Sequence, residues 1–207
     1  ILTRDTEIAR KRLPMNCEFH KWEPELYPPS SQAFDGVNAV VHLAGENIAN
    51  KRWSESRKNK IKDSRVLSTR NLVSTLKSMK NAPDTFVSAS AVGFYGKDKP
   101  VELYEDLDPG KDFLADVCKE WEHEAFAARD HNIRTIALRI GIVLGYEGGA
   151  IKKMLPPFWA GIGGTLGDGN QWMSWIHIKD LIGIIIHSLE NKTIQGAYNA
   201  TSPDPVT

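Results

Sequence analysis

Residues 37–43 read Val-Asn-Ala-Val-Val-His-Leu and stop at Ala44-Gly45. A strand with one wet face alternates apolar and polar positions. This run is nearly continuous in apolar character, which suits a strand covered on both faces, as strands of parallel sheets are. The rest of the chain supplies the helices such a sheet needs. Residues 54–80 predict a long polar helix with Ile61, Leu72, Val73, Leu76 and Met79 on its apolar face and Pro83 beyond its end. Residues 85–90 predict the next strand, 111–131 a helix, 133–140 a strand, 178–189 a helix and 196–200 a closing strand. Nearer the start, residues 5–13 form a helix that Asp5 caps and Pro14 ends. Residues 17–22 alternate as a short strand, and Pro24, Pro28 and Pro29 follow in a loop. Residues 148–169 are loop-rich, with a short helix at 151–159. Strands alternating with helices predict an α/β fold, a doubly wound parallel sheet with right-handed crossovers and helices on both faces. The expectation is one domain over residues 1–207, with 146–176 as a loop-rich part of the substrate side.

Composition removes several classes of function. The chain has 26 basic and 26 acidic residues, so its formal net charge is zero. A general nucleic-acid binder carries a basic excess. Cys17 and Cys118 are far apart and show neither a disulfide framework nor metal-ligand spacing, so a reducing, cytoplasmic setting and no metal are expected. The apolar stretch at 176–189 contains His177, Lys179, Asp180 and His187, too short and too charged to span a bilayer. Ile1-Leu2-Thr3-Arg4 reads as the tail of a strand, and residues 202–207 as the start of another segment. The expectation is the middle of a longer protein.

Ligands of doubly wound sheets bind at the carboxyl ends of the strands. Arg4 follows the first strand fragment, where an arginine accommodates the 2′-phosphate of NADP and an acid would hold the 2′-hydroxyl of NAD. His42-Leu43-Ala44-Gly45-Glu46 brings small residues to a strand exit, so the backbone can approach a flat ligand. Ser88-Ala89-Ser90 places hydroxyls at the next exit, before a loop with Gly93, Tyr95 and Gly96. Residues 138–145 run into small residues again. Residues 161–177 mix glycines with Trp172 and Trp175 and end at His177, as a loop that covers a small ligand would.

These segments, in this order, resemble the extended short-chain dehydrogenase/reductases, most closely an atypical branch labelled "epimerase family". The resemblance rests on Asn38-Ala39-Val40-Val41-His42-Leu43-Ala44-Gly45-Glu46-Asn47-Ile48, Arg52-Trp53, Ser64-Arg65, Gly93-Phe94-Tyr95-Gly96, Leu138-Arg139-Ile140-Gly141-Ile142-Val143-Leu144, Met154-Leu155-Pro156-Pro157-Phe158 and Trp175-Ile176-His177-Ile178. It implies a Rossmann-type fold, with a strand and a GxxGxxG loop ahead of the position of Ile1 and a further region after Thr207. It implies that Thr3 and Arg4 meet the 2′-phosphate of NADP (NADPH), that Leu43 and Ala44 line the cofactor, and that Arg65 reaches it from the following helix. Lys60 falls near the same site, where an acidic residue is common in the family. Val143 falls beside the nicotinamide. Gly45, Ser88 and Ala89 complete the expected cofactor contacts, and Glu46 and Trp175 are expected to face substrate.

Ordinary members carry Tyr-x-x-x-Lys on a helix, with both side chains on one face. The lysine lowers the tyrosine pKa, and the tyrosine moves the proton. Here Leu114 and Cys118 stand at those places, and neither can do that work. The formal match Tyr95 and Lys99 spans the turn-like Gly96-Lys97-Asp98 and is followed by Pro100. The remaining candidates for proton transfer or substrate orientation are Ser90, Tyr95 and His177. The expectation is an NADP-binding oxidoreductase or epimerase-like protein with a non-standard site, an unidentified small-molecule substrate, no nucleic-acid or membrane partner and a possible homodimer. The alternative is a non-catalytic NADP-binding sensor. If the dyad positions carry no chemistry, Cys118→Ser keeps whatever carbonyl turnover the protein shows, and loss of turnover in that variant would refute the assignment.

Overall fold

The computed structural model describes residues 1–13, 16–49, 51–97, 102–146, 149–165 and 167–207. Pro14, Asp98, Lys99, Pro100 and Gly148, used above as breakers, turn residue, dyad partner or loop start, lie outside the described residues. The elements run β1 (Leu2–Thr3), α1 (Thr6–Arg12), β2 (His20–Lys21), β3 (Ala39–His42), α2 (Glu55–Ser78), β4 (Thr85–Ala91), α3 (Phe113–Phe126), β5 (Arg134–Ile140), β6 (Ile142–Gly145), α4 (Gly149–Trp159), β7 (Trp175–His177), α5 (Ile178–Glu190) and β8 (Gly196–Ala200). Short 3-10 turns lie at Ser31–Phe34, Val92–Tyr95 and Ala127–His131.

Strands pair in the order β3-β4-β5-β8, all parallel, and β1-β2 and β6-β7 form two further parallel pairs. This is the parallel α/β arrangement that the alternating pattern predicts. Side chains cap the starts of three helices, at Asp5 as the sequence predicts and also at Ser54 and Asp112. Asp5 Oδ1 accepts from Ile8 N at 2.9 Å, Ser54 Oγ from Arg57 N at 3.3 Å and Asp112 Oδ1 from Ala115 N at 3.0 Å. Each satisfies a backbone donor that the first turn leaves free.

Successive residues of a strand point to opposite faces, and β4 shows what covers each. Phe86 packs with Leu72, Val73 and Leu76 of α2 and with Ala125 of α3. Its neighbour Val87 packs with Ile136, Leu138 and Ala200, against Leu181, Ile184 and Ile185 of α5. Helices therefore cover both faces. Arg134, at the start of β5, locks the second face. Its guanidinium donates to the Ser188 and Leu189 carbonyls at 3.0 and 3.3 Å, which the end of α5 leaves without helical partners, and to the Ile194 carbonyl in the following loop at 2.9 Å.

The route to two covered faces differs from the expectation. The order β4, β5, β8 advances in one direction, yet α3 lies on one face and α5 on the other. The two crossovers therefore have opposite hands, and right-handedness cannot hold for both. The reason is the excursion after Ile140. The chain leaves the sheet, makes the β6-β7 pair with α4 between, and re-enters through α5 on the opposite face. The strand read at 17–22 also shrinks to His20–Lys21, and the helix read at 111–131 becomes α3 plus a 3-10 turn ended by Asn132 at φ 60°. Phe86 is fully buried. Phe86→Ala should cost about 3–5 kcal/mol of unfolding free energy in a urea titration, the range for truncating a buried aromatic.

Candidate cofactor site

The register aligns the carboxyl ends of the central strands. His42 stands beside Ser88, and Ala91 beside Ile140, which in turn stands beside Ala200. The residues just past the ends of β1 and β3 are open. Arg4 is exposed, as are Leu43, Ala44 and Gly45. Thr3 Oγ1 bonds the Asp5 backbone at 3.2–3.3 Å, and the Asp5 carboxylate caps α1. The acid that follows Arg4 is thus committed to the helix start, while Arg4 carries no hydrogen bond from the described residues.

The β3 exit is pinned to α2. Arg57 Nη1 donates to Glu46 Oε1 at 2.6 Å, and Nη2 donates to the Asn47 carbonyl. Ser64 Oγ accepts from Glu46 N at 3.0 Å. The hydrogen bond from Arg57 holds the Glu46 carboxyl below the usual range, and the charges of Arg57, Lys60 and Arg4 add to this. Glu46, expected to face substrate, is therefore engaged as an anchor of this loop. Lys60 is exposed on α2. Arg65, two turns along from Arg57, packs against Gly45. A Cβ placed on Gly45 would lie 3.2 Å from Arg65 Cζ.

Ser90 and Tyr95 enter a buried network that the sequence reading did not find. Ser90 Oγ donates to Glu122 Oε1 at 2.6 Å, and Arg139 grips both Glu122 oxygens at 2.9 and 3.0 Å. Arg139 Nη1 donates to Tyr95 Oη at 2.9 Å, and that hydroxyl donates to Asn199 Oδ1 at 2.7 Å. Arg139 also stacks over Phe94, 3.5 Å from the ring centre. The Tyr95 side chain is 1% exposed. Glu122 and Arg139 were legible only as one acid on a helix and one base on a strand. Their pairing depends on the α3–β5 contact, which no local spacing encodes. Ser88 is fully buried, and Ala89 nearly so.

The dyad positions face the loop after β4. A Cβ on Gly93 would lie 3.4 Å from Leu114 Cβ and 3.8 Å from Cys118 Sγ. Burial, followed by the charge of Glu122, pushes the Cys118 thiol up to about 12. A thiol held neutral at physiological pH is a poor nucleophile and carries no charge. On the far side, Val143 pairs in register with Ile176, and Leu144 with His177. His177 is exposed and caps α5, its Nδ1 accepting from Lys179 N at 3.3 Å. Trp175 Nε1 donates to the Asp204 carbonyl at 2.9 Å. A groove of about 560 Å³ between α5 and β8 contains none of the candidate catalytic, cofactor or substrate residues named from the sequence. No cluster of three or more metal-ligating side chains occurs among the described residues, nor any helix long and apolar enough to cross a membrane.

Parallel strands whose ends converge on small residues and arginines define a dinucleotide-binding α/β protein. The chain belongs to the NAD dependent epimerase/dehydratase family, whose sequence profile matches residues 18–201. It is 43% identical over 173 residues to the chloroplastic epimerase family protein SDR39U1 homolog of Arabidopsis thaliana, covering 83% of this chain and 49% of that one. It is 36% identical over 207 residues to the epimerase family protein YfhF of Bacillus subtilis, covering 100% of this chain and 66% of YfhF. The chain thus spans about half to two-thirds of the length of these relatives. Among solved structures, human epimerase family protein SDR39U1 (isoform 2) with NADPH superposes with a TM-score of 0.82 at 31% identity, covering 99% of this chain and 66% of that one. The nucleoside-diphosphate sugar epimerase of Corynebacterium glutamicum gives 0.78 at 40% identity, covering 90% and 38%.

His42, last in β3, directly precedes this exit. It lies between the Trp22 and Phe86 rings and 3.3 Å from Ser68 Oγ. Burial lowers its pKa from 6.5 to about 4. A histidine kept neutral by folding binds its proton more readily when unfolded. Its contribution is therefore complete above pH 6.5 and declines as the pH falls toward 4. The full loss is on the order of 3 kcal/mol. Plotted against pH, the unfolding free energy of His42→Gln should fall less steeply than that of the wild type over this window. Parallel curves would refute the assignment.

Proposed function

We propose that this chain is the cofactor-binding part of an NADP-dependent oxidoreductase or epimerase-like enzyme that acts on a small substrate without a Tyr-x-x-x-Lys dyad. The observation that carries the reading is the pair Arg4 and Asp5. The acid is used as the N-cap of α1, and the guanidinium beside it stays exposed at the end of β1. A guanidinium there offers a fork of donors to a phosphate and little to a plain ribose hydroxyl pair. The NADPH held by the human relative supports the same choice.

The residues present fit such a group. Thr3 and Arg4 would hold the 2′-phosphate, with Lys60 near it. Leu43, Ala44 and Gly45 would form an open floor without large polar side chains. Ser88 and Ala89 would back the next strand end, and Val143 would stand beside the nicotinamide. Bound NADPH supplies hydride-transfer chemistry, and the protein's part is to orient and shield it. Trp175 and His177 would then face the substrate side. The reducing cytoplasm suits the free thiols of Cys17 and Cys118.

One observation favours the sensor reading. Tyr95 and Ser90 are tied into the Arg139–Glu122 network, and Leu114 and Cys118 offer no proton at neutral pH. Single-turnover mixing of the NADPH complex with a panel of keto compounds separates the two readings, because a sensor leaves the reduced nicotinamide unoxidised throughout.

NADPH should bind more tightly than NADH in a fluorescence titration. Arg4→Ala should lose roughly tenfold in NADPH affinity, about the value of one hydrogen bond to a charged group. Equal affinity for the two cofactors, or no loss in Arg4→Ala, would overturn the 2′-phosphate assignment.

A further inference from the structure

We propose that the loop from Glu46 to Trp53 recognises the substrate, and that the substrate it takes is a flat aromatic carboxylate. The proposal names a substrate class for the enzyme reading above and rests on that reading.

The loop leaves the open floor at the β3 exit and crosses to the first residue of α3. There the Trp53 indole meets the Phe113 ring edge-on, with ring centres 5.7 Å apart and planes at 69°. Phe113 adjoins Leu114, which stands at the tyrosine place of the dyad and packs on the Gly93 turn. The ring pair is therefore next to the position from which ordinary members move a proton. The loop is also fixed in advance. Arg57 bonds the Glu46 carboxylate and the Asn47 carbonyl, and Ser64 Oγ accepts from Glu46 N. Asn47 Oδ1 accepts from Ala49 N at 2.8 Å, and Trp53 Nε1 donates to the Ile48 carbonyl at 2.9 Å. Trp53 is nonetheless 36% exposed. A ring held by its own N–H and open to solvent offers contact area that loses little entropy when a ligand arrives.

Two features of the corner select the ligand. The first is shape. Rings set at a steep angle let a third ring stack offset on one and point its edge at the other. The second is the state of the polar groups. The acceptors along the corner are already engaged: Glu46 by Arg57, Glu55 by Lys58 at 2.8 Å, Asn47 by Ala49 N, and Ser54 and Asp112 by the helix starts that they cap. A sugar would bring hydroxyl donors to a wall whose acceptors are in use. The cations are not in use to the same degree. Residues 46–62 carry six basic side chains and two acids, and both acids are paired within the segment. Lys62 goes to Glu120 at 2.7 Å. Lys51 and Arg52, directly before Trp53, are exposed and their side chains have no partner among the described residues. A chain of zero net charge thus concentrates positive charge at this corner, and such a patch draws anions. The Arg52 fork matches a carboxylate, and the ring beside it takes the flat body that carries the carboxylate.

Calorimetric titration of the NADPH complex separates ring from charge. The probes are 2-naphthoate, cyclohexanecarboxylate (charge without a flat ring), 2-naphthamide (ring without charge) and glucuronate (a sugar acid). Wild type should bind 2-naphthoate roughly tenfold more tightly than each of the others. Trp53→Leu should lose the preference over cyclohexanecarboxylate, a change of roughly three- to tenfold, and Trp53→Phe should keep it. Arg52→Gln should lose the preference over 2-naphthamide, and Arg52→Lys should keep part of it. All four variants should bind NADPH within about twofold of wild type, which shows that they are folded. Equal affinity of the wild type for the four probes, no binding of 2-naphthoate, or unchanged selectivity in Trp53→Leu would overturn the proposal alone. Tighter binding of glucuronate than of 2-naphthoate would overturn it in favour of a sugar acid. Failure of the wild type to bind NADPH would overturn the cofactor reading and the proposal with it.

Discussion

The strand β4 has no wet side. Residues 85–90 are all buried, Phe86 against α2 and α3 and Val87 against α5. A strand in that position can keep its backbone polar groups paired only by bonding a neighbour on each edge, because no water reaches them. β3 and β5 meet that demand, and both are parallel to it. Parallel neighbours force long crossovers, and the crossovers are α2 and α3. The open ends of these strands then fall on one edge of the sheet. The location of a ligand site thus follows from how one strand satisfies its amides.

The second organising contact is the buried pair Glu122–Arg139. It ties α3 to β5, and through Ser90, Tyr95 and Asn199 it reaches β4, the turn after it and β8. Burying two charges is expensive, and an apolar replacement of equal shape is often as stable. The value of the pair lies in geometry. A bidentate guanidinium–carboxylate contact admits one relative placement of its partners. It fixes the Gly93 turn against α3, and that turn closes over Leu114 and Cys118.

The sheet was legible because its signal is local. Continuous apolar runs at 85–90 and 133–140 state that both faces are covered, the run at 37–43 overstates it because Val41 and Leu43 stay exposed, and Asp5 states where α1 begins. The β6-β7 pair was hidden, since three- and four-residue strands joined through a long glycine-rich stretch carry no periodicity of their own. The opposite hands of the crossovers were hidden for the same reason. At the site, single residues next to strand ends could be named, but their engagements could not. Glu46 and Tyr95 are bonded by residues far away in sequence, Tyr95 by Arg139 and Asn199, so residue type alone left their roles open.

The excursion between β5 and α5 also separates two kinds of freedom. It departs and returns through the short pair β6-β7, and β8 rejoins β5 only after it is complete. The entropy of closing such a loop grows with the logarithm of its length, about 0.6 kcal/mol for each doubling. Residues between the two short strands can be added, removed or exchanged at little thermodynamic penalty to the central sheet. The molecule thus carries an exchangeable cassette on a fixed frame, and the frame keeps its own hydrogen bonds whatever the cassette becomes.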